Sequence, residues 1–389
     1  MRKAKSPQKS RLVAAGLCAL DIVFGLDDPA PRFYAGGTCG NVVAGLAFLG
    51  WDATPVARLG RDAAGEFVRQ DFERWGIDTS LLGLTPSGAT PIVLEKIQLS
   101  KNGVPRHRFL WNCPDCGSYF PPFRPVLRAQ VEDLKKKLGH PEIFYADRVS
   151  RSTIELAKYF HEEGSLVYFE PSAAGDPKLF REMLQLCDVL KYSAQRARSF
   201  AELLRDHKAY LEIETLGEDG LRFRTRKAFA SWHAVAAYEV RIKDTAGSGD
   251  WTSVGLLSEM LVEGKRALEK CTKQNISSCL ERAQALAALN CQFEGPRGGM
   301  YQLSRDRFME SVAALETKKP RVPEQRRISL TQQLSTAAVC PSCSPKSSDR
   351  PNLDSERGPH AVRASSENRD QESPISEVPG SLRTQNVEP

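Results

Sequence analysis

Residues 244–250 constrain the fold of this chain more than any other segment, because they combine a glycine-rich turn with the start of a helix. They read Asp-Thr-Ala-Gly-Ser-Gly-Asp, and apolar residues recur at helical spacing over 254–261. A glycine-rich turn that runs into a helix leaves several backbone N–H groups unpaired and pointing in one direction, which makes an anion site. The segment therefore predicts a turn that binds an anion, with Asp250 in the first turn of the following helix.

The carboxylate of Asp250 would repel an anion, so its presence in such a turn needs a chemical reason. One reason is that Asp250 acts as a general base, which takes the proton from a hydroxyl attacking a phosphorus atom. The N–H groups of the turn would then hold the developing negative charge. These N–H groups belong to Ala246, Gly247, Ser248 and Gly249. The alternative is a plain turn in which the acidic residue only favours the helix dipole.

A second glycine-rich block lies near the N-terminus. Gly36 and Gly37 precede Asn41 and an Ala-rich stretch, and a Gly-x-Asp-x-x-Gly element follows at 60–65. Taken alone, the block could be a tight turn with an asparagine helix cap. Together with the Asp-Thr-x-Gly-(Ala/Ser)-Gly-Asp turn, however, it resembles the two signatures of the ribokinase-like carbohydrate kinases, the PfkB family. The resemblance covers roughly residues 11–305.

This resemblance implies an α/β, ribokinase-like fold, in which a central, mostly parallel sheet is flanked by helices and carries a small β lid. It implies ATP and Mg²⁺ as cofactors and a small sugar or polyol as the substrate and partner. A nucleoside kinase of the same fold and a catalytically weak, sugar-binding member of the family are the two alternatives. A homodimer is one expected assembly.

Short β-branched runs alternate with amphipathic segments from residue 11 onward, which favours a parallel sheet between helices. The predicted strands are 11–18, 53–58, 143–146, 166–169, 189–192, 210–215 and 221–225. The predicted helices are 41–49, 64–75, 128–138, 152–163, 178–186 and 281–293, besides the one that begins at Asp250. Two stretches, about 22–35 and 90–112, lack helices, and the resemblance implies that they form the lid. Its apolar face is expected from Phe24, Phe33, Phe109 and Trp111.

The resemblance also implies roles for particular residues in binding the substrate and ATP. Substrate hydroxyls are expected to meet Asp21, Gly36, Gly37 and Asn41. Asp147 joins them because ligands bind at the C-terminal ends of strands in open α/β sheets, although a plain surface carboxylate is the alternative. The ATP site is expected to use a Thr-x-Gly-x-x-Gly turn, the start of the 244–250 turn and one helical residue. These residues are Thr215, Gly217, Gly220, Asp244, Thr245 and Gln284.

One element departs from the family pattern. Where the family usually has Asn-x-x-Glu, tied to magnesium and phosphate handling, this chain has Ser193 and Arg196. An arginine cannot hold a cation, because hard metals need oxygen ligands. Glu170 is a weak candidate to replace the lost carboxylate, and Arg196 could instead contact a phosphate.

The chain ends differ in composition from the rest. Residues 1–10 form a basic tail that is expected to be disordered, residues 11–317 the kinase domain, and residues 318–389 a disordered tail poor in apolar residues. The net charge of +6 gives no case for nucleic acid binding. The apolar run at 12–20 is interrupted by Asp21 and reads as a first strand that delivers this residue to the site. We expect a cytoplasmic protein without a membrane segment.

Ten cysteines are scattered along the chain, and two pairs have the Cys-Pro-x-Cys pattern of a zinc knuckle. Cys113 and Cys116 form the first pair, and Cys340 and Cys343 form the second, inside the predicted disordered tail. The sequence leaves open whether the first pair helps to hold a structural zinc ion or consists of free thiols in a surface loop.

Overall fold

The computed structural model describes residues 9–26, 30–85, 88–101, 103, 105–226, 229–317 and 334–344. The strands, numbered in chain order, are β1 (Arg11–Ala15), β2 (Ala19–Phe24), β3 (Arg32–Gly36), β4 (Asp52–Gly60), β5 (Leu82–Thr85), β6 (Ile92–Leu99), β7 (Pro105–Leu110), β8 (Ile143–Ala146), β9 (Leu166–Phe169), β10 (Val189–Ser193), β11 (Leu211–Thr215), β12 (Leu221–Thr225) and β13 (His233–Val235).

The helices are α1 (Thr38–Phe48), α2 (Ala63–Arg74), α3 (Val131–Leu138), α4 (Arg151–Glu162), α5 (Pro177–Leu186), α6 (Ala194–Ala197), α7 (Ser248–Glu259), α8 (Lys265–Glu269), α9 (Lys273–Asn290), α10 (Gly298–Gln302), α11 (Arg305–Glu316) and α12 (Thr336–Val339).

The larger sheet has the order β13-β12-β11-β10-β9-β8-β1-β4-β5, and all of its pairs are parallel except β11–β12 and β12–β13. The central strands β8 and β9 are buried along their whole length, as expected for a parallel sheet covered on both faces. Tyr145 and Tyr168 enter the core that includes α1, α7 and α9, whereas Phe144 and Phe169 enter the core on the side of α3, α4 and α5. The predicted fold class is confirmed.

The smaller sheet has the order β3-β2-β6-β7 and is built from the two stretches that were predicted to lack helices. Its pairing links β2 in parallel to β6, so the two distant stretches form one sheet. Phe33 is buried and lies edge-on to Phe67 of α2, whereas Trp111 is 55% exposed. The four aromatic residues therefore do not share one apolar face. Residues 27–29, 102 and 104 of the predicted lid lie outside the described residues.

The predicted first strand is three residues too long. β1 ends at Ala15, and the chain bends at Gly16, where a Cβ atom would lie 1.7 Å from the Asp147 carboxylate. Asp21 consequently lies in β2 of the smaller sheet and not at the end of β1. In the sequence, residues 11–20 form one continuous apolar run, because both strands are buried. The bend between them contains no proline and no polar turn residue that would mark the boundary.

The C-terminal segment differs in part from its prediction. Residues 334–344 lie within the predicted disordered tail, yet they include α12 and pack against the kinase domain near α2. Val339 and Cys340 are 3% and 1% exposed, so this part of the prediction is wrong. Residues 1–8, 318–333 and 345–389 lie outside the described residues. Among the helices of the described part of the chain, none is both long and apolar enough to span a bilayer.

Candidate active site

The turn before α7 has the backbone conformation that its glycines suggest. Gly247 has φ of 73°, in the left-handed region that a side chain disfavours. A Cβ atom there would lie 2.2 Å from the carbonyl oxygen of Pro296, so only glycine fits. α7 begins at Ser248, which places Asp250 in its first turn as predicted.

The predicted N–H groups of the turn divide into two kinds. Ala246 N–H donates to Asp244 at 2.9 Å and Ser248 N–H to the Thr245 carbonyl at 3.3 Å, so these two stabilise the turn itself. Within the part of the chain that the structure describes, the N–H groups of Gly247 and Gly249 have no acceptor. Unpaired N–H groups at a helix N-terminus attract an anion. The turn therefore offers two of the four predicted donors.

Asp250 is partly buried beside these donors and accepts a hydrogen bond from Asn41, a residue 209 positions earlier in the chain. The Asn41 side-chain NH₂ donates to Asp250 Oδ2 at 2.7 Å. Desolvation and the neighbouring charge of Glu170 raise the pKa of Asp250, and the resulting value is about 8. The hydrogen bond from Asn41 and the positive charges of Lys191 and Arg196 oppose this rise. A carboxyl group with a pKa near neutral pH suits general base catalysis.

The orientation of Asn41 is fixed by Arg297, which the sequence analysis did not identify. Arg297 Nε donates to Asn41 Oδ1 at 3.1 Å, so the amide NH₂ must face Asp250. The guanidinium group also donates to the Ala35 carbonyl and lies 3.5 Å from Asp71, and the residue is only 1% exposed. The available signal was the glycine- and proline-rich block around Arg297, but the pattern does not show that the arginine is buried.

Asp21 lies in β2, an inner strand of the smaller sheet, and accepts the Gly37 N–H at 3.3 Å. A Cβ atom at Gly36 would lie 1.8 Å from Asp21 Oδ2, so glycine at this position makes room for the carboxylate. Burial raises the pKa of Asp21 to about 7. Among the described residues, Asp21 Oδ1 has no hydrogen-bond partner. This orphaned buried oxygen is the acceptor that a substrate hydroxyl would need.

Asp147 has a different environment from the one predicted. It is fully buried, so it is not a surface carboxylate. Its Oδ1 accepts the Leu17 N–H at 2.9 Å, and its Oδ2 pairs with Arg148 at 2.9 Å. Both carboxylate oxygens therefore already have partners within the protein, and the bond to Leu17 supports the bend after β1. This structural role of Asp147 does not require a substrate.

The residues predicted for ATP come from separate elements of the fold. Gly217 and Gly220, with φ of 68° and 89°, form the turn between β11 and β12, and Thr215 is the last residue of β11. Gln284 lies on α9, which packs against α7. This arrangement puts a glycine turn at the carboxyl end of β11, the end of a parallel strand where ligands of open α/β sheets bind.

Asp244 and Thr245 contact the smaller sheet. The Thr245 hydroxyl lies 3.1 Å from His107 Nδ1, and Asp244 Oδ1 lies 3.6 Å from the same atom. Asp244 also accepts the N–H groups of Ala246 and Gly295, both at 2.9 Å. The hydrogen bonds of His107 and of these N–H groups hold the pKa of Asp244 below its usual range despite burial. The two residues thus join the anion turn to β7.

Glu170 does not fit the role of a magnesium ligand. Its Oε1 pairs with Lys191, and its Oε2 accepts from Tyr145 at 3.0 Å and from Ser253. A Cβ atom at Gly249 would lie 3.7 Å from Lys191 Nζ and 3.8 Å from Glu170 Oε1, so the pair lies directly beside the turn. The Lys191 ammonium group therefore neutralises the Glu170 carboxylate, which the sequence analysis had considered as a metal ligand.

Arg196 lies in the short helix α6 and is exposed, while its charge favours the ionised form of Asp250. Arg196, which stands where the family usually has a glutamate, is thus on the active-site side of the sheet. Lys191 also lies beside the anion turn, but its charge is balanced by its ion pair with Glu170, so the positive charge that Arg196 adds is not cancelled in the same way. This arrangement suits a phosphate group and not a metal ion.

Comparisons with known proteins agree with this geometry. Residues 12–302 match the model of the pfkB family carbohydrate kinases. The chain is 24% identical over 281 residues to the ATP-dependent ribose-1-phosphate kinase of Halopiger xanaduensis, with 68% of this chain and 83% of the relative covered. It is 29% identical over 245 residues to the aminoimidazole riboside kinase of Salmonella typhimurium, with 57% and 72% covered.

Among solved structures, the fructokinase of Xylella fastidiosa with bound ATP superposes with a TM-score of 0.61 at 22% sequence identity. The alignment covers 80% of this chain and 99% of the fructokinase. The fold and the anion turn define a kinase of the ribokinase-like class. The chain belongs to the pfkB family and is a carbohydrate kinase.

Proposed function

We propose that this enzyme transfers the γ-phosphoryl group of ATP to a hydroxyl of a small sugar or polyol, with Asp250 as the general base. The observation that carries the proposal is the placement of the partly buried Asp250 carboxyl group, 2.7 Å from the Asn41 amide, beside the unpaired N–H groups of Gly247 and Gly249. A base and an oxyanion-type site lie next to each other, as phosphoryl transfer to an alcohol requires.

In the proposed reaction, the substrate hydroxyl oxygen attacks the γ-phosphorus while its proton passes to Asp250. The bond between the γ-phosphorus and the bridging oxygen breaks, and ADP leaves. The N–H groups of Gly247 and Gly249 donate to the γ-phosphoryl oxygens, and Arg196 adds positive charge around them. Mg²⁺ bound with ATP would neutralise the phosphates, with phosphates and waters as its ligands, and no residue here is assigned to it.

The proposal is tested by a coupled assay of ADP release with Mg-ATP and a panel of pentoses, hexoses, polyols and nucleosides. Thermal-shift measurements with the same panel detect binding without turnover. Phosphorylation of a sugar or polyol supports the proposal. Phosphorylation of a nucleoside alone would support the alternative that the similarity to the riboside kinase of Salmonella favours. Binding of a sugar without turnover would indicate a catalytically weak protein.

The first prediction concerns pH. Because burial raises the pKa of Asp250 to about 8, the group is largely protonated at neutral pH and cannot accept a proton. The value of kcat/KM should therefore rise with pH and level off above about 8, as for a base that must be ionised. Arg196→Gln removes a charge that favours the ionised form, so it should move the midpoint to higher pH. Arg198→Gln, an exposed neighbour, is the control, and equal midpoints in the three proteins would contradict the assignment.

The second prediction concerns the substrate. We propose that the orphaned oxygen of Asp21 accepts a substrate hydroxyl. Asp21→Ala should raise KM for the sugar by about 10- to 100-fold, the equivalent of about 1.5–3 kcal/mol for a hydrogen bond to a charged group. The value of kcat should change less, because this contact is made in the ground state as well. Asp52→Ala, on an exposed strand position, is the control. An unchanged KM in Asp21→Ala would remove this residue from the substrate site.

A further inference from the structure

Four cysteines that the kinase reaction does not use come together away from the anion turn. The Sγ atoms of Cys113, Cys116, Cys340 and Cys343 all lie within 4.8 Å of one another. Cys113 lies 3.8 Å from Cys343, and Cys116 lies 3.8 Å from Cys340. The two pairs are more than 220 residues apart in the chain, yet each repeats the Cys-Pro-x-Cys pattern.

These distances match a tetrahedral metal site and not a disulfide pair. With a zinc–sulfur bond of about 2.3 Å, the edge of a regular tetrahedron of sulfur atoms is roughly 3.8 Å. A disulfide would need sulfur atoms about 2.05 Å apart. Four thiols around one point are also the donor set that selects zinc among the common divalent ions, with iron as the main competitor.

The backbone around each pair forms a tight turn that directs two thiols to one side. The Gly117 N–H donates to the Cys113 carbonyl at 2.8 Å, and Gly117 has φ of 74°, which closes the first turn. In the second turn, the N–H groups of Cys343 and Ser344 donate to the Cys340 carbonyl at 3.1 and 2.9 Å. Hydrogen bonds within each turn therefore direct its two thiols to the same side.

We propose that these four cysteines bind one structural Zn²⁺ ion, which ties residues 334–344 to the loop that follows β7. On binding, each thiol gives up a proton and each thiolate forms one bond to zinc, so up to four protons are released and no electron is transferred. The loop continues directly from the strand that carries His107, the residue in contact with Thr245. The site therefore fixes the C-terminal segment on the smaller sheet of the kinase domain, a function distinct from phosphoryl transfer.

The test uses the full-length protein, purified under reducing conditions without chelator. Elemental analysis should find about one zinc per chain for a single four-thiolate site. The double variant C340S/C343S should lose the zinc and remain folded, because serine is close to cysteine in size and most of the core that contacts Cys340 comes from earlier elements of the chain. The matched control C271S/C279S changes two partly buried cysteines outside the cluster and should keep the zinc. Thermal unfolding of each variant checks that it is folded.

A second measurement keeps the test independent of the variants. Protein freed of metal and titrated with Co²⁺ should develop the intense visible absorption of a tetrahedral cobalt–thiolate site, and the C340S/C343S protein should not. In the metal-free protein, amide exchange should speed up in residues 334–344 and stay unchanged in α7. Absence of zinc with no cobalt spectrum, mass spectrometry that shows two disulfides, or iron in place of zinc would each overturn the proposal.

Discussion

The variant Asp250→Asn should fold and bind ATP like the parent enzyme, yet turn over at least about 100-fold more slowly, the usual scale for loss of a general base. An asparagine at this position can still accept the hydrogen bond that Asn41 donates at 2.7 Å, so the local geometry has no reason to change. What the amide lacks is the ability to take a proton from the substrate hydroxyl. The loss should therefore appear in kcat, measured at saturating ATP and substrate.

The matched control is Asp306→Asn, which changes an exposed aspartate in the first turn of α11. It tests for any general effect of removing an acidic residue from a helix N-terminus, which costs about 0.3–1 kcal/mol. ATP affinity and thermal stability of both variants should be measured beside kcat. Turnover close to that of the parent enzyme in Asp250→Asn would refute the assignment of the base. A loss of ATP binding or of folding would show that the residue acts structurally.

The parts of the site that could be predicted are those whose chemistry is local in the sequence. The left-handed Gly247, the helix start at Ser248 and the carboxylate in its first turn all follow from seven consecutive residues. The family resemblance implied that Asn41 contacts the substrate hydroxyls, and in the structure the Asn41 amide lies 2.7 Å from the Asp250 carboxylate. The alternating strands and helices likewise predicted the larger sheet, because burial on both faces leaves a clear apolar pattern.

The parts that could not be predicted depend on pairing between distant residues. Glu170 was considered as a free oxygen ligand, but its partner Lys191 comes from the next strand of the sheet and lies beside it only after folding. The thiols at 340 and 343 were assigned to a disordered tail because the composition around them is polar, whereas the structure packs Cys340 into the core. Composition describes an average over a segment, and eleven described residues are too few to change that average.

Arg297 is the clearest example of a residue whose role depends on distant partners, and its replacement is the second change for which we predict a large effect. Replacing it with methionine, a side chain of similar length, should lower the free energy of unfolding by about 3–5 kcal/mol, the cost of breaking a buried charge pair on one side. Asp71 would then keep the hydrogen bond from Tyr301 at 2.6 Å but lose its buried cation, and only the more exposed Arg74, at 3.9 Å, would remain to pair with it. The oxygen of Asn41 and the carbonyl of Ala35 would also lose their donor.

Urea unfolding of Arg297→Met measures this loss, and Arg282→Met is the matched control. Arg282 also pairs with two acidic residues, Glu259 and Glu316, but its side chain is 29% exposed, so its removal should cost no more than about 1 kcal/mol. Arg297→Lys should recover only part of the stability, because a single ammonium group cannot reach Asn41, Ala35 and Asp71 in the way that the planar guanidinium does.

The pH profile of Arg297→Met shows whether Arg297 positions the catalytic residues or only stabilises the fold. Without the bond from Arg297 Nε, the Asn41 amide can rotate and present its oxygen to Asp250 in place of its NH₂ group. That orientation disfavours the ionised carboxylate, so kcat/KM of the folded Arg297→Met protein should reach its plateau at a higher pH than in the parent enzyme. If the variant loses stability but keeps the parent pH profile, Arg297 only supports the core. A loss of stability below about 1 kcal/mol would show that water or local rearrangement replaces its contacts.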